Sequence, residues 1–104
     1  MNIKELNERA KVNQKNALEE AIAEIEKRMT WRANNGLNNF KVATHDEDCY
    51  YTIREWMIEP LREYFKNEGY KVEVEEIKTL TRGIQKLLGI YEPEYLMIIR
   101  WEMV

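Results

Sequence analysis

The sequence predicts an α+β fold of two layers, in the order α-β-α-β-(short helix or loop)-β, with a small three-stranded sheet and two main helices. Three observations carry this. A long N-terminal segment spaces its apolar residues with helical period, at Leu18, Ala21, Ile22, Ile25 and Met29. Tyr70-Lys71-Val72-Glu73-Val74-Glu75 alternates apolar and charged residues, as a half-buried strand does. Tyr95-Leu96-Met97-Ile98-Ile99 is apolar on both strand faces, which suits the middle of a sheet.

The first helix is expected over residues 2–34. Asn2 can cap it, with Glu5 in capping-box position. Ile3, Leu6 and Ala10 follow helical spacing, but Asn13, Gln14, Lys15 and Asn16 interrupt the apolar face. Residues 17–30 are therefore expected to pack on the body. Residues 1–16 are expected to form a projecting helical arm within a single domain spanning 1–104. Asn34-Asn35-Gly36 ends the helix, because Asn and Gly accept the left-handed conformation of a C-terminal cap.

Asn39 to Thr44 reads as a short strand, alternating at Phe40 and Val42. His45-Asp46-Glu47-Asp48 then places acids where a helix dipole favours them, and Thr44 with Glu47, or Asp46 alone, can cap that helix. The second helix is expected over about 47–68, with the stripe Tyr50, Ile53, Trp56, Met57, Leu61, Tyr64 and Phe65. Pro60 interrupts it, and two readings follow: one kinked helix, or a second helix starting with Pro60 at its first position. The unbroken stripe favours the kink. Gly69 caps the end.

The strand from Tyr70 extends toward Leu80. Residues 81–89 read either as a short helix capped by Thr81 or as a loop. Pro93 marks the approach to a last strand over Tyr95 to Met103. The last two strands are expected to pair antiparallel. If the first and second strands pair in parallel, the second helix is a right-handed crossover. A strand apolar on both faces needs cover on both sides, and a second copy or a partner is one source of it.

The counts bound the function. The chain has 104 residues, 44% of them apolar and 34% charged, with a net charge of -3. That is one domain's worth of chain. The first 52 residues hold eight basic and nine acidic groups, and the rest hold eight and ten. Duplex binding needs a concentrated basic footprint, which this even mixture lacks, so nucleic acid is not an expected partner. A DNA mimic needs a far larger acidic excess. The single cysteine, Cys49, excludes an intramolecular disulfide. Residues 1–8 show no apolar run of a signal peptide, and no segment approaches the roughly 20 apolar residues of a membrane span. A cytoplasmic protein with no membrane association is expected.

No reaction motif emerges. His45-Asp46-Glu47-Asp48 could bind a metal, but reads more simply as an acidic helix start. Glu76-Ile77-Lys78, with Asp46 or Asp48, is a faint match to the acid-x-lysine of metal-dependent nucleases, a spacing that a charge-rich chain produces freely. Cys49 and His45 have nucleophile-base spacing but no orienting third group. No metal, cofactor or catalytic set is therefore assigned, and a non-enzyme is expected.

The aromatic residues are more informative. Trp56 and Trp101 suit core positions. Trp31, followed by Arg32, either packs under the Asn-rich turn or anchors a partner. Tyr91 has the same two readings. Arg82 and Lys86 flank the nearby loop and either are solvated or hold an anion such as a nucleotide phosphate. These five residues are the candidate interface or ligand contacts.

The segments Trp56-Met57-Ile58-Glu59-Pro60-Leu61, Tyr64-Phe65-Lys66-Asn67-Glu68-Gly69-Tyr70-Lys71-Val72 and Tyr95-Leu96-Met97-Ile98-Ile99-Arg100-Trp101 cover about half the chain. Their pattern resembles that of small accessory proteins of bacteriophages and prophages of low-GC bacteria. The resemblance implies a protein that binds and blocks a host factor, and it carries over no functional residue. The expected function is that of a non-enzymatic, phage- or mobile-element-encoded protein that binds a host protein, as a homo-oligomer. The alternative is nucleotide sequestration at a subunit interface near Arg82, Lys86 and Trp31.

Overall fold

The computed structural model describes residues 2–44, 50–80 and 91–102. Its elements are α1 (Ile3–Asn34), β1 (Asn39–Ala43), β2 (Tyr51–Thr52), a 3-10 turn (Glu55–Met57), α2 (Ile58–Asn67), β3 (Lys71–Leu80) and β4 (Tyr91–Arg100). The class is α+β, as the sequence predicts, but the sheet has four strands, in the order β2-β1-β4-β3.

Local chemistry sets both ends of α1. The Asn2 side chain accepts from the Glu5 amide at 2.9 Å, which satisfies one amide of the open first turn. At the other end Gly36 takes φ +80°. The Leu37 amide then reaches the Arg32 carbonyl at 2.9 Å and the Gly36 amide reaches Ala33 at 3.0 Å. This is the Schellman pattern, which pairs carbonyls the helix leaves open. α2 ends in the same way: Gly69 takes φ +97°, Tyr70 N bonds Phe65 O and Gly69 N bonds Lys66 O, both at 3.0 Å. The rings of Phe65 and Tyr70 meet edge-on across that turn at 5.7 Å.

The middle of the chain departs from expectation. Tyr50 and Ile53 do not lie on a helix. Tyr51 and Thr52 form β2, parallel to β1, with Val42 opposite Tyr51 and Ala43 opposite Thr52. The Tyr50 amide bonds Lys41 O at 3.0 Å and the Ile53 amide bonds Ala43 O at 2.8 Å. Spacing that fits a helical stripe is thus used by an edge strand and a turn, because the open edge of β1 supplies hydrogen bonds that a helix start would lack. α2 begins only at Ile58. Pro60 is its third residue, where the missing N–H is owed no intrahelical partner. It neither kinks a long helix nor opens a second one. Residues 45–49 and 81–90, which hold the acidic stretch, Cys49 and the helix-or-loop segment, lie outside the described residues.

β4 lies between β1 and β3 and is antiparallel to both. The first and third strands of the chain are thus not neighbours, and the parallel pair is β1 with β2. β4 starts at Tyr91 rather than Tyr95 and contains Pro93. Tyr95 exchanges bonds with Thr44 on the β1 side: its amide donates to Thr44 Oγ1 at 3.0 Å and its carbonyl accepts from Thr44 N at 3.1 Å. Pro93, two residues earlier, aims its nitrogen the same way, past the described end of β1, so that among the described residues no ladder bond is forfeited.

The helices cover one face of the sheet. Ala21, Ile25 and Met29 of α1 and Leu61 and Phe65 of α2 pack with Phe40, Val42, Met97 and Ile99. Val72 and Val74 close the β3 side. On the other face Ile98 is only 9% exposed in the single chain, between Lys41 and Glu73 on the neighbouring strands. Long charged side chains cover apolar surface with their stems. Ile98 therefore needs no second chain to cover it. Every residue from Asn2 to Asn16 is exposed.

Candidate functional site

The end of α1 meets the start of β1 and the approach to β2. Arg28 and Arg32, one turn apart, share the helix face that looks at this junction. Arg32 Nε donates to Asn39 O at 2.6 Å and its Nη2 to Asn39 Oδ1 at 3.1 Å. The guanidinium lies 4.1 Å from the centre of the Tyr50 ring. Arg28 Nη1 donates to the Tyr50 carbonyl at 2.7 Å, and its guanidinium lies 4.9 Å from the Tyr51 ring centre. Two arginines therefore hold Tyr50 by its ring and by its backbone. The ring of buried Phe40 stands behind it at 5.6 Å.

These residues, with Trp31, line a shallow cleft of about 160 Å³. Trp31 is 63% exposed and Tyr50 is 42% exposed. Trp31 does not pack under the Asn-rich turn; it is only its carbonyl that the turn uses, accepting from Asn35 Nδ2 at 2.7 Å. An indole so exposed at a fixed backbone position exposes a large apolar area at little further entropic cost on binding.

The electrostatics are lopsided. Glu24 Oε1 accepts from Arg28 Nε at 2.8 Å. That hydrogen bond, with the nearby cations, holds the Glu24 carboxyl below its usual range against a smaller opposing effect of burial. Arg28 is thus countered by an anion. Arg32, among the described residues, bonds only the neutral groups of Asn39. The described lining of the cleft is therefore aromatic and cationic. Its lining can grip a planar or apolar group and a carboxylate or phosphate beside it.

Of the residues singled out by sequence, Trp31 and Arg32 come together here. Arg82 and Lys86 lie outside the described residues. The backbone of Tyr91 opens β4 opposite Leu80. Sequence reasoning missed Arg28, Phe40 and Tyr50 as site residues. The i, i+4 arginines flanking Trp31 were a usable signal; Tyr50 was hidden by its place in an apparent helical stripe. Glu76 is exposed on β3, and its sequence-proposed partners Asp46 and Asp48 lie outside the described residues. Among the described residues no cluster of three or more His, Cys, Asp or Glu could hold a metal ion, and no helix is long and apolar enough to cross a membrane.

The fold and this cleft define a two-layer α+β chain with an arginine-braced aromatic surface. No family model matches the chain, and no curated protein or solved structure matches it.

Proposed function

We propose that this chain is a non-enzymatic interaction protein, encoded by a phage or mobile element, that binds a host protein in the cytoplasm through the Trp31 cleft and works as a homo-oligomer. The observation that carries the reading is the exposure of Trp31 beside Tyr50, Arg28 and Arg32. Trp, Tyr and Arg dominate the energetics of protein interfaces. The partner's matching patch presents an apolar or aromatic side chain flanked by carboxylates. Phage origin rests on the resemblance of the second half of the chain.

The test is capture from a low-GC bacterial lysate with three baits: the wild-type chain, Trp31→Ala, and a distant control, Lys71→Ala. The expected result is a protein retained by wild type and control and lost by Trp31→Ala. Identical captures by all three baits would refute the Trp31 assignment.

One observation favours a second reading. Stacking rings next to Arg32, which among the described residues has no carboxylate partner, also suit a nucleotide, with the base on Trp31 or Tyr50 and a phosphate on the guanidinium. A thermal-shift series with nucleoside mono-, di- and triphosphates separates the two, since a ligand specific to the folded state raises the Tm. A nucleotide shift abolished by Trp31→Ala would favour sequestration over a protein partner.

A further inference from the structure

We propose that two copies of this chain join edge to edge through β3, around a two-fold axis at Ile77, into one continuous eight-stranded sheet. The proposal deepens the homo-oligomer part of the reading above and is independent of the Trp31 cleft.

Three observations lead to it. First, among the described residues β1 pairs with β4 over Leu96 to Arg100, with Thr44 bonding Tyr95 beyond that, whereas β3 pairs with β4 from Tyr91 to Arg100. The far half of the β3–β4 hairpin is thus, among the described residues, a two-stranded ribbon extending past the sheet. Such ribbons are marginal in water without a third strand.

Second, the two edges of the ribbon are unlike. The β4 edge carries Pro93, whose nitrogen points outward and has no hydrogen to donate. Proline on an edge blocks pairing. The β3 edge has no proline. The bonds of Tyr95 to Thr44 show that odd-numbered β4 residues face β1, so even-numbered ones face β3. The register then turns the backbone groups of Val72, Val74, Glu76, Lys78 and Leu80 outward along the open edge.

Third, charge pattern and paired length together select one register. Two antiparallel β3 strands that keep their helices on the same side must have the axis at a residue. An axis at Glu73, Glu75, Glu76 or Lys78 sets that charge against itself. An axis at Val74 sets Glu73 against Glu75 twice. An axis at Val72 or Thr79 brings no like charges together but pairs only three residues of each strand, whereas an axis at Ile77 pairs Val74 to Leu80. An axis at Ile77 sets Glu76 opposite Lys78 twice and Glu75 opposite Thr79 twice, with no like-charged pair. Opposite charges across strands stabilise pairing and like charges oppose it. The outward backbone groups of Glu76 and Lys78 also meet as hydrogen-bonded pairs in this register.

The test is sedentation-velocity and light-scattering mass measurement of the full chain at about 100 µM, far above the dissociation constant of a micromolar dimer. Glu76→Lys and Lys78→Glu each weaken dimerisation about tenfold, and the double variant restores it. In a Cys49→Ser chain, Ile77→Cys forms an intermolecular disulfide, because a non-hydrogen-bonded pair on the axis brings the two Cα atoms about 4.5 Å apart. Glu75→Cys, opposite Thr79, does not. A strict monomer overturns this proposal and the homo-oligomer reading together. A dimer unmoved by either charge reversal, or cross-linked through Glu75→Cys rather than Ile77→Cys, overturns the β3 interface alone.

Discussion

The Arg32 guanidinium lies 4.1 Å from the centre of the Tyr50 ring while its Nε holds the Asn39 carbonyl at 2.6 Å. One side chain thus joins the end of α1, the start of β1 and the approach to β2. An exposed cation–π contact contributes about 0.5–1 kcal/mol, and a hydrogen bond from a charged donor contributes up to about 1.5–3 kcal/mol net, less where the donor is partly exposed. Arg32→Ala is expected to cost about 1–2 kcal/mol in chemical denaturation. Arg32→Lys recovers only part of that loss, since an ammonium cannot bond both Asn39 oxygens in the plane of the ring.

Trp31 should behave in the opposite way. Its side chain is exposed and outside the core, so Trp31→Ala shifts unfolding free energy by no more than about 0.5 kcal/mol. Binding should be lost while the melting curve is retained. A large stability loss in Trp31→Ala would show a packing role instead.

The Tyr64 hydroxyl donates to Glu26 Oε1 at 2.7 Å, linking α2 to α1. That bond to a carboxylate, followed by burial and the charge of Glu26, pushes the Tyr64 pKa from 10.0 to about 12. The unfolded chain releases this proton near pH 10. The contribution to stability is therefore complete below pH 10 and is lost as pH rises from there to about 12. Tyr64→Phe should show a shallower fall of Tm across that window. Phenolate absorbance at 295 nm should lose its latest-titrating component in the same variant.

Two leucines test how unequally the chain packs. Leu61 is fully buried, whereas Leu6 is 54% exposed. Leu61→Ala is expected to cost about 2–5 kcal/mol. Leu6→Ala should stay within about 0.5 kcal/mol for the monomer. A stability loss at Leu6 that grows with protein concentration would place the helical arm in an interface.

Gly69 offers a purely conformational test. A Cβ added there meets nothing within 4 Å, but φ is +97°. Gly69→Ala should therefore cost about 1–2 kcal/mol through backbone strain alone. Gly69→Asn should recover part of it, because asparagine tolerates the left-handed region.

Signals that act within a few residues were legible. Asn2 with Glu5, Gly36 and Gly69 mark helix ends that hydrogen bonds between near neighbours complete. The alternation from Tyr70 to Glu75 marks β3 because one of its faces meets helices and the other meets water. The stripe from Leu18 to Met29 found the packed half of α1. Trp31 with Arg32 gave part of the site, and the arginine repeat at 28 and 32 could have given more.

What stayed hidden is non-local. A strand as short as Tyr51–Thr52 has no period of its own; it exists because the edge of β1 offers Lys41 and Ala43 as acceptors. Tyr50 entered the cleft for the same reason. The start of α2 at Ile58 and the harmlessness of Pro60 follow from that displacement.

By itself, then, the sequence determined the class of fold, the ends of α1, the cap of α2, the edge-facing alternation of β3 and the apolar character of β4. Only the tertiary structure decided that β4 inserts between β1 and β3, that Ile98 is covered within one chain, and that Arg28, Arg32, Phe40 and Tyr50 line one cleft with Trp31. Caps and periodicities are energies of neighbouring residues and can be read along a chain. Strand order and cleft composition depend on hydrogen bonds and packing between residues tens of positions apart, which no local pattern encodes.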